Sequence, residues 1–279
     1  MTSLDRLASI AAAAEHADGA APLDEATWFA LRHPERHDAQ VWSEEQGFAA
    51  ITDRTLSLVV HPDARGQGVG GALLEQALTA TDRPVLEAWS HADHPAARRL
   101  AAGHGFERVR ELWVMRRSLA DPLPEYAVPP DVVVRGYRES DAEQFLRLNA
   151  LAFADHPEQG AMDATNLAER MAEPWFDPAG LLLAERDGKL IGFHWTKRHS
   201  DRLGEVYVVG IDPSVQGIGL GRIVTIAGLE HLRSRGIEDV LLYVESDNAP
   251  AIAIYRDKIG FTHAARDTHV MYRREAGSA

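Results

Sequence analysis

A glycine-rich motif occurs twice in this chain, and the two copies are separated by 151 residues. The second copy starts with the β-branched run Val206 to Ile211, which is followed by Asp212-Pro213 and then by spaced glycines. The matching positions are Pro62, Gly66, Gly68 and Gly70 in the first copy and Pro213, Gly217, Gly219 and Gly221 in the second. Each copy therefore predicts a buried strand, a tight turn and the start of a helix, in that order.

The glycine turn has the properties of a phosphate-binding loop. Glycine lacks a Cβ, so the backbone can approach a ligand closely, and the first N–H groups of a helix have no partner within the helix. A nucleotide-hydrolase P-loop ends in Gly-Lys-Ser/Thr, whereas Arg222 and Ile223 follow Gly221 here, which excludes that class. The spacing Gly-x-Gly-x-Gly after Pro213 also disfavours the Gly-x-Gly-x-x-Gly fingerprint of dinucleotide-binding proteins.

The second copy reads Val-x-x-Asp-Pro-x-x-Gln-Gly-x-Gly-x-Gly. This pattern resembles the acyl-CoA pyrophosphate loop of the GCN5-related N-acetyltransferase (GNAT) superfamily. The stretch from Asn248 through Tyr255 to Gly260-Phe261 is similar to the second acetyl-CoA motif of the same superfamily. There the matching tyrosine hydroxyl faces the thioester sulfur, which implies that Tyr255 gives a proton to the departing CoA thiolate. The structural alternative is a half-buried tyrosine that only packs its ring against the sheet.

The duplication provides an internal comparison for this tyrosine. Gly260-Phe261 recurs as Gly105-Phe106, and the residue six places before the phenylalanine is Tyr255 in one half and Leu100 in the other. Leucine has no proton to donate. The first half is therefore predicted to be catalytically silent, and whether it holds acetyl-CoA or only shapes the acceptor site stays open.

Length and composition limit the class of protein. A chain of 279 residues predicts two domains, and its 45% hydrophobic share is that of a globular protein. We find no run of about 18 apolar residues and no signal region, and we predict a cytoplasmic protein without a membrane segment. Because the chain has no cysteine, disulfides, a thiol nucleophile and thiolate metal sites are excluded. The histidines are scattered, and no metal site is predicted.

The net charge of −13 disfavours nucleic acid as a partner and is compatible with an acceptor that carries positive charge. Four prolines, at 122, 124, 129 and 130, predict a linker, since neither a helix nor a central strand tolerates them. The predicted organisation is an N-terminal domain at residues 1–120, a linker at 121–131 and a catalytic domain at 132–279. We expect a monomer, because the duplication already provides two domains.

Each half predicts strands followed by a βαβα arrangement, and hence a mixed α/β sheet with helices on both faces. The second half is the more complete, because the strand Val132–Tyr137 and the helix Asp141–Phe153 have no obvious counterpart in the first half. Near the C-terminus we predict a helix at Ala249–Lys258 and a final hairpin near Phe261–Arg273. With the superfamily resemblance, this predicts two tandem GNAT acyl-CoA N-acyltransferase domains.

Acyl transfer to an amine also requires a group that removes the amine proton. Glu205 starts the central strand of the second half, and in the GNAT superfamily this end of the strand faces the acceptor. An α-amino group has a pKa of about 8, so a carboxylate that acts directly or through water suffices. A backbone N–H around Val209–Ile211 is expected to polarise the thioester carbonyl. The alternative for Glu205 is an ordinary surface carboxylate.

Several strings resemble the mycothiol acetyltransferase family of actinobacteria over nearly the whole chain. They are His33-Pro-Glu35, Asp155-His-Pro-Glu158-Gln-Gly160, Gly192-Phe-His-Trp-Thr-Lys197, Leu203-Gly-Glu205-Val-Tyr-Val-Val-Gly210 and Leu241-Leu-Tyr243-Val-Glu-Ser-Asp-Asn248. The resemblance implies transfer of acetyl from acetyl-CoA to the cysteinyl amine of 1D-myo-inositol 2-(L-cysteinylamino)-2-deoxy-α-D-glucopyranoside.

The same resemblance implies which residues contact the two substrates. Acceptor contacts fall on Glu35, Glu158, Lys197, Glu205 and Tyr243. Acetyl-CoA contacts fall on Val209, Gly210, Ile211, Gln216, Gly217, Ile218, Gly219, Leu220, Gly221, Arg222, Asn248, Ala249, Pro250, Ala251, Ile252 and Ala253. A vestigial set in the first half consists of Leu58, Val59, Val60, Arg65, Gly66, Gln67, Gly68, Val69, Gly70 and Gly71.

Two other functions stay open on the residues alone. A tandem acetyltransferase acting on another amine, such as an aminoglycoside or a peptide N-terminus, has the same loop and tyrosine. A non-catalytic acyl-CoA sensor binds CoA in both halves without turnover, and Tyr255 and Glu205 disfavour this alternative for the second half.

Overall fold

The structure is a computed structural model, and it describes residues 3–154, 159–215 and 217–275. Packing divides the chain into two compact units. One consists of Met1–Trp113 with Ala264–Ala279, and the other is Val114–His263. The sequence-based division at residues 121–131 stays a prediction, because contact units and sequence repeats follow different criteria.

The first unit is built on a sheet with the strand order β1-β2-β3-β4-β11, in which β11 is the C-terminal strand Thr262–Glu275. Its helices and strands are α1 (Ser3–Asp18), α2 (Glu25–Arg32), α3 (Pro34–His37), β1 (Gln40–Glu44), β2 (Gly47–Thr52), β3 (Thr55–Val60), α4 (Val69–Ala80), β4 (Val85–Ser90), α5 (Pro95–Gly103) and the first part of β5 (Glu107–Ser118). Among the described residues before Gln40, the regular elements are the helices α1, α2 and α3, so the first strand of this unit is β1. In the described residues of this unit no strand precedes β1, whereas the helices α1 and α2 do, so the first half lacks the expected strand at this place but not a helix.

The second unit has the strand order β5-β10-β9-β8-β7-β6. Its elements are β6 (Val133–Gly136), α6 (Ala142–Ala152), α7 (Ala164–Met171), β7 (Leu181–Arg186), β8 (Lys189–Arg198), β9 (Leu203–Ile211), α8 (Leu220–Ser234), β10 (Asp239–Glu245), α9 (Ala249–Ala253) and the start of β11 (Thr262–Glu275). Strands β9 and β10 run parallel, whereas β6 to β9 pair antiparallel. The sheet is therefore mixed, as predicted.

The C-terminal segment differs from the prediction. Thr262–Glu275 is one continuous strand, β11, rather than a hairpin, and its residues Val270–Glu275 pair antiparallel with Val85–Ser90 of β4. A hairpin requires turn residues such as glycine or asparagine, and this segment contains neither. The predicted hairpin is wrong because the residues within this segment do not reverse the chain.

The proline-rich stretch is held against the second unit. Arg117 donates from Nη2 to the Pro122 carbonyl oxygen at 2.5 Å, and Arg222 donates from Nη2 to the Glu125 carbonyl oxygen at 2.8 Å. The Tyr126 hydroxyl donates to the Glu230 carboxylate at 2.8 Å. Because Arg222 and Glu230 both belong to α8, the stretch follows this helix. In the described part of the chain, no helix is long and apolar enough to cross a membrane.

Strand β8 has different neighbours on its two faces. Phe193 and Trp195 pack against Phe145 of α6, with ring centroids 4.8 and 5.8 Å apart. His194 lies on the opposite face under α8, where its Nδ1 donates to the Val224 carbonyl oxygen at 3.0 Å. The residue is completely buried, and this burial lowers the pKa of His194 from 6.5 to about 4.

We expect the free energy of unfolding to fall as the pH drops from 6.5 to about 4. In this range the unfolded chain binds a proton at residue 194 and the folded chain does not. The contribution of neutral His194 to the free energy of unfolding is therefore complete above pH 6.5 and is lost as the pH falls to about 4. At 1.36 kcal/mol for each unit of pKa shift, the loss is about 3 kcal/mol.

Urea unfolding between pH 7 and pH 4 measures this dependence, and His194→Asn is expected to give a shallower slope than the wild type. Burial also lowers the pKa values of His91 and His231, but these residues are present in both proteins. The difference between the two slopes therefore isolates residue 194. Equal slopes would contradict the assignment.

Candidate active site

A gap opens in the sheet of the second unit between β9 and β10. The described residues pair only at Leu203–Glu205 with Asp239–Leu241, although β9 continues to Ile211 and β10 to Glu245. Beyond Glu205 the residues of β9 do not pair with residues of β10, so the facing edges of the two strands are open to a ligand. An extended ligand can bind such edges through backbone hydrogen bonds, as an added strand does. Glu205 lies where the strands separate.

A β-bulge in β9 sets which side chains face this site. Against β8, Val208 is opposite Trp195 and Val206 is opposite Thr196, so Tyr207 is an extra residue. Beyond the bulge Lys197 and Glu205 are directly opposite each other, which places both side chains on the same face of the sheet.

The glycine loop opens α8 in the predicted way. Gly219 is the N-cap residue with a φ of 79°, and no side chain caps the helix at this end. Gly217 has a φ of 89°, and a Cβ at either glycine would meet nothing within 4 Å. A non-glycine residue is strained at these φ values, while the first N–H groups of α8 receive no side-chain cap. The loop therefore has the conformation and the open space that a phosphate group requires.

The other predicted acetyl-CoA residues have different positions. Leu220 and Ile252 are buried in the core, so only their backbone groups are available to a ligand. Ile218 is 44% exposed. The Asn248 side chain accepts a hydrogen bond from Ala251 N at 3.2 Å and caps α9. Gln216 lies outside the described residues.

Tyr255 lies in a π-helical turn, Ile254–Ile259, that continues α9. The predicted helix at Ala249–Lys258 is thus present but changes its winding, and such turns are frequent at functional sites. The Tyr255 ring is partly buried, with its centroid 6.0 Å from that of Phe261. Burial raises the pKa of Tyr255 to about 12, so the hydroxyl keeps its proton at neutral pH.

Glu205 is one of the few buried carboxylates, with 6% of its surface exposed. His199 donates from Nε2 to Glu205 Oε2 at 2.6 Å. Tyr243, on the neighbouring strand β10, is 45% exposed at the residue level. Desolvation of the hydroxyl and then the charge of Glu205 raise the pKa of Tyr243.

The predicted acceptor residues are divided between the two units. The Lys197 ammonium lies over the rings of Trp175 and Tyr207, 4.8 and 5.3 Å from their centroids. Lys197, Glu205 and Tyr243 are thus neighbours in the second unit, while Glu35 is an exposed residue on α3 of the first unit. Glu158 lies outside the described residues.

Three residues of this region were missed by the sequence analysis. Trp175 and Tyr207 flank Lys197, and His199 contacts Glu205. His199 and Tyr207 are close in sequence to Lys197 and Glu205, but Trp175 is not, and neither the bulge nor the ring contacts can be read from composition. In the described ranges, no group of three or more potential ligands is arranged to hold a metal ion.

The first unit contains a cavity of about 420 Å³ beside its own glycine loop. Residues of the predicted vestigial set line it, namely Leu58, Val59, Val60, Arg65, Gly66, Gly68, Gly70 and Gly71. The Gln67 side chain instead donates to the Asp63 carbonyl oxygen at 2.9 Å, and Val69 packs against the core. Leu100 forms part of the cavity wall, so the position that corresponds to Tyr255 is aliphatic.

The polar end of this cavity is internally paired. Arg65 donates from Nη1 and Nη2 to the two carboxylate oxygens of Asp18, at 2.7 and 2.8 Å. The guanidinium group of this loop is therefore already bound to a carboxylate.

Comparison with known proteins agrees with these features. The model of the acetyltransferase (GNAT) family matches residues 145–261, and the model of an acetyltransferase (GNAT) domain matches residues 25–108. A tandem GNAT protein from the clavulanic acid biosynthesis pathway has the same fold, with a TM-score of 0.68 and 22% identity. That comparison covers 98% of this chain and 94% of the other.

Closer relatives decide the family. A mycothiol acetyltransferase from Nocardioides sp. is 60% identical over 97% of this chain and 97% of its own length. The chain belongs to the mycothiol acetyltransferase family. A second mycothiol acetyltransferase, from Thermobispora bispora, is 48% identical over 95% of this chain and 94% of its own length.

Membership of the mycothiol acetyltransferase family confirms the resemblance found in the sequence, and the two matched ranges confirm two tandem GNAT domains. The chain is therefore an N-acetyltransferase, and enzymes of the GNAT class use acetyl-CoA.

Proposed function

We propose that the second unit transfers acetyl from acetyl-CoA to the cysteinyl amine of 1D-myo-inositol 2-(L-cysteinylamino)-2-deoxy-α-D-glucopyranoside, the last step of mycothiol formation. The observation that carries this proposal is the gap between β9 and β10, with Glu205 at the point where the strands separate. The relatives named mycothiol acetyltransferase support this choice of acceptor.

The donor site consists of the gap and the glycine loop. Acetyl-CoA supplies the acetyl group as a thioester. The loop from Gly217 to Arg222 would hold its pyrophosphate through the backbone N–H groups at the start of α8, where the helix dipole also favours negative charge. Val209–Ile211 lie on the part of β9 that β10 no longer pairs with, and they would bind the donor through backbone groups.

Two side chains would act on protons. Tyr255 gives its hydroxyl proton to the thiolate that leaves, and its raised pKa keeps that proton available throughout the working range. Glu205 supplies the negative charge that draws a proton from the acceptor amine. Because Glu205 is buried, its charge is screened less by water than that of a surface carboxylate.

The acceptor carries an ammonium group and many hydroxyls. Lys197 and Tyr243 flank Glu205 and can donate hydrogen bonds to sugar or inositol oxygens, and the carboxylates of Glu35 and Glu158 can accept them. Trp175 and Tyr207 restrict the Lys197 side chain, which lowers the entropy lost when it binds a ligand.

The first unit is proposed to be silent in catalysis. It retains a glycine loop and a cavity, which suit a CoA-like ligand, but Leu100 has no proton to give. Monomeric state and cytoplasmic location stay predictions.

Mass spectrometry of the purified protein with acetyl-CoA tests the proposal. Three acceptors are offered in parallel, namely cysteinyl-glucosaminyl-inositol, an aminoglycoside and a peptide with a free N-terminus. We expect a mass increase of one acetyl group on the cysteinyl amine, with stoichiometric release of CoA.

The other outcomes separate the alternatives. Acetylation of the aminoglycoside or the peptide in preference to the cysteinyl compound would contradict the proposed acceptor and favour another amine. Binding of CoA without acetylation of any acceptor would instead favour an acyl-CoA sensor.

A further inference from the structure

His199 connects the buried carboxylate of Glu205 with solvent. The imidazole donates from Nε2 to Glu205 Oε2 at 2.6 Å. Only 8% of the Glu205 side chain is exposed, compared with 34% of the His199 side chain. A proton that reaches this site must be returned to water in each turnover, and the imidazole is the more accessible member of the pair.

The turn between β8 and β9 holds His199 in place. His199 N donates to the Leu203 carbonyl oxygen at 2.9 Å, and Ser200 N donates to the same oxygen at 3.2 Å. Ser200 Oγ in turn accepts from Leu203 N at 3.1 Å. Glu205 follows Leu203 by two residues on β9, so the turn and the strand together fix the distance between the imidazole and the carboxylate.

His199 lines a cavity of about 710 Å³, and Trp175, Phe176 and Asp201 are among the other lining residues. Since Nε2 carries the hydrogen that is donated to Glu205, a neutral imidazole has its accepting lone pair on Nδ1. A buried carboxylate that holds one N–H of an imidazole, and leaves the other nitrogen to accept protons, is the arrangement of the serine-hydrolase triad. Histidine suits this role because its ordinary pKa is close to neutrality.

We propose that Glu205 removes the amine proton through His199, whose Nδ1 accepts it directly or through one water. Glu205 then acts as the positioning residue that fixes the tautomer and stabilises the imidazolium. This inference rests on the proposed acetyl transfer.

The protons balance over one turnover. The ammonium group of the acceptor first loses a proton to His199 Nδ1, and the imidazolium releases it to solvent. As the N–C bond forms and the C–S bond breaks, the sulfur takes the proton of Tyr255, and the second amine proton replaces it through solvent. Overall, the ammonium group of the acceptor and acetyl-CoA are converted into the amide and the CoA thiol, and one proton is released to solvent.

Several charged groups face this pair. Lys197 is opposite Glu205 on β8, and Tyr243 approaches it from β10. On the cavity side lie Arg198 and Arg235 as cations, with Glu173, Asp177 and Asp201 as anions. These groups are the same in the wild type and in a His199 variant, so the informative quantity is the change in the pH profile when His199 is replaced.

The test compares wild type with His199→Gln, which can still donate to Glu205 but cannot take up a proton. We expect kcat to fall about 30-fold, less than the loss of a direct acid or base, because water can take the proton instead. The KM values for acetyl-CoA and the acceptor should change less than about twofold. The acid limb of the kcat profile should move to lower pH, since carboxylates titrate below imidazoles.

Asp201→Asn is the matched control, because Asp201 lies on the same cavity wall and is fully exposed. It should leave kcat and the acid limb unchanged. An unchanged kcat in His199→Gln, or a lower kcat with an unmoved acid limb, would overturn the proposal.

The measurement uses whichever amine the wild type acetylates fastest. The proposed role of His199 is therefore contradicted if the pH profiles of kcat for the wild type and for His199→Gln coincide with that amine. The proposed function is contradicted independently of this result if the amine that the wild type acetylates fastest is not the cysteinyl compound.

Discussion

Tyr255→Phe is expected to lower kcat for acetyl transfer about 100- to 1,000-fold, in the lower part of the usual range for loss of a general acid. The substitution removes the hydroxyl alone and keeps the ring, whose centroid lies 6.0 Å from that of Phe261. The KM for acetyl-CoA should therefore change less than about threefold. Steady-state kinetics with detection of the free CoA thiol measures both quantities. Because the pKa of Tyr255 is raised to about 12, its ionisation should produce no basic limb below about pH 10 in the wild type.

Tyr137→Phe is the matched control for the loss of a tyrosine hydroxyl. Tyr137 is a core residue of the same unit, with 8% of its surface exposed, and it packs against Phe145. The kcat of the Tyr137→Phe variant should stay within about twofold of the wild-type value. If Tyr255→Phe retained a third or more of the wild-type kcat, the hydroxyl would not be the proton donor.

Gly228→Ala is expected to destabilise the protein by about 3 kcal/mol, at the upper end of the usual range for overpacking. A Cβ at this position would lie 2.0 Å from Nδ1 of the completely buried His194. The ring cannot turn away at no cost, because Nδ1 donates to the Val224 carbonyl oxygen of the same helix. For a chain of this length, thermal unfolding should shift down by about 6–12 °C.

Gly221→Ala provides a control on the same helix. There the nearest atom to a new Cβ is Ile211 Cγ1 at 3.6 Å, an ordinary contact, and alanine favours a helix over glycine by about 1 kcal/mol. The unfolding temperature of the unliganded protein should therefore stay the same or rise.

The double variant His194→Ser with Gly228→Ala tests the contact itself. Removal of the ring provides space for the new methyl group, so the two substitutions should cost less together than the sum of their separate effects. Additive effects, or an unchanged unfolding temperature in Gly228→Ala alone, would contradict the packing argument.

Much of the fold follows from local sequence. The strand predicted at Val132–Tyr137 and the helix predicted at Asp141–Phe153 are present as β6 and α6, each end within about one residue of its predicted bound. These features depend on residues within a few positions of each other. The prediction of a final hairpin was wrong because it used only local sequence. The single strand β11 pairs with β4, which is far from it in the sequence.

The duplication, the glycine loop and the contrast between Tyr255 and Leu100 were all readable from the order of residues alone. They need only spacing, because a loop and the helix that follows it are contiguous in the chain. They were also enough for the resemblance to the family, which the comparisons confirm.

The details that make a reaction possible depended on tertiary structure. The bulge at Tyr207 places Lys197 opposite Glu205, the separation of β9 from β10 opens the sheet, and the β8–β9 turn brings His199 to Glu205. Each of these results from strand register and side-chain packing. A change of one residue in register would move every side chain of β9 to the other face, and no local pattern in the sequence specifies that choice.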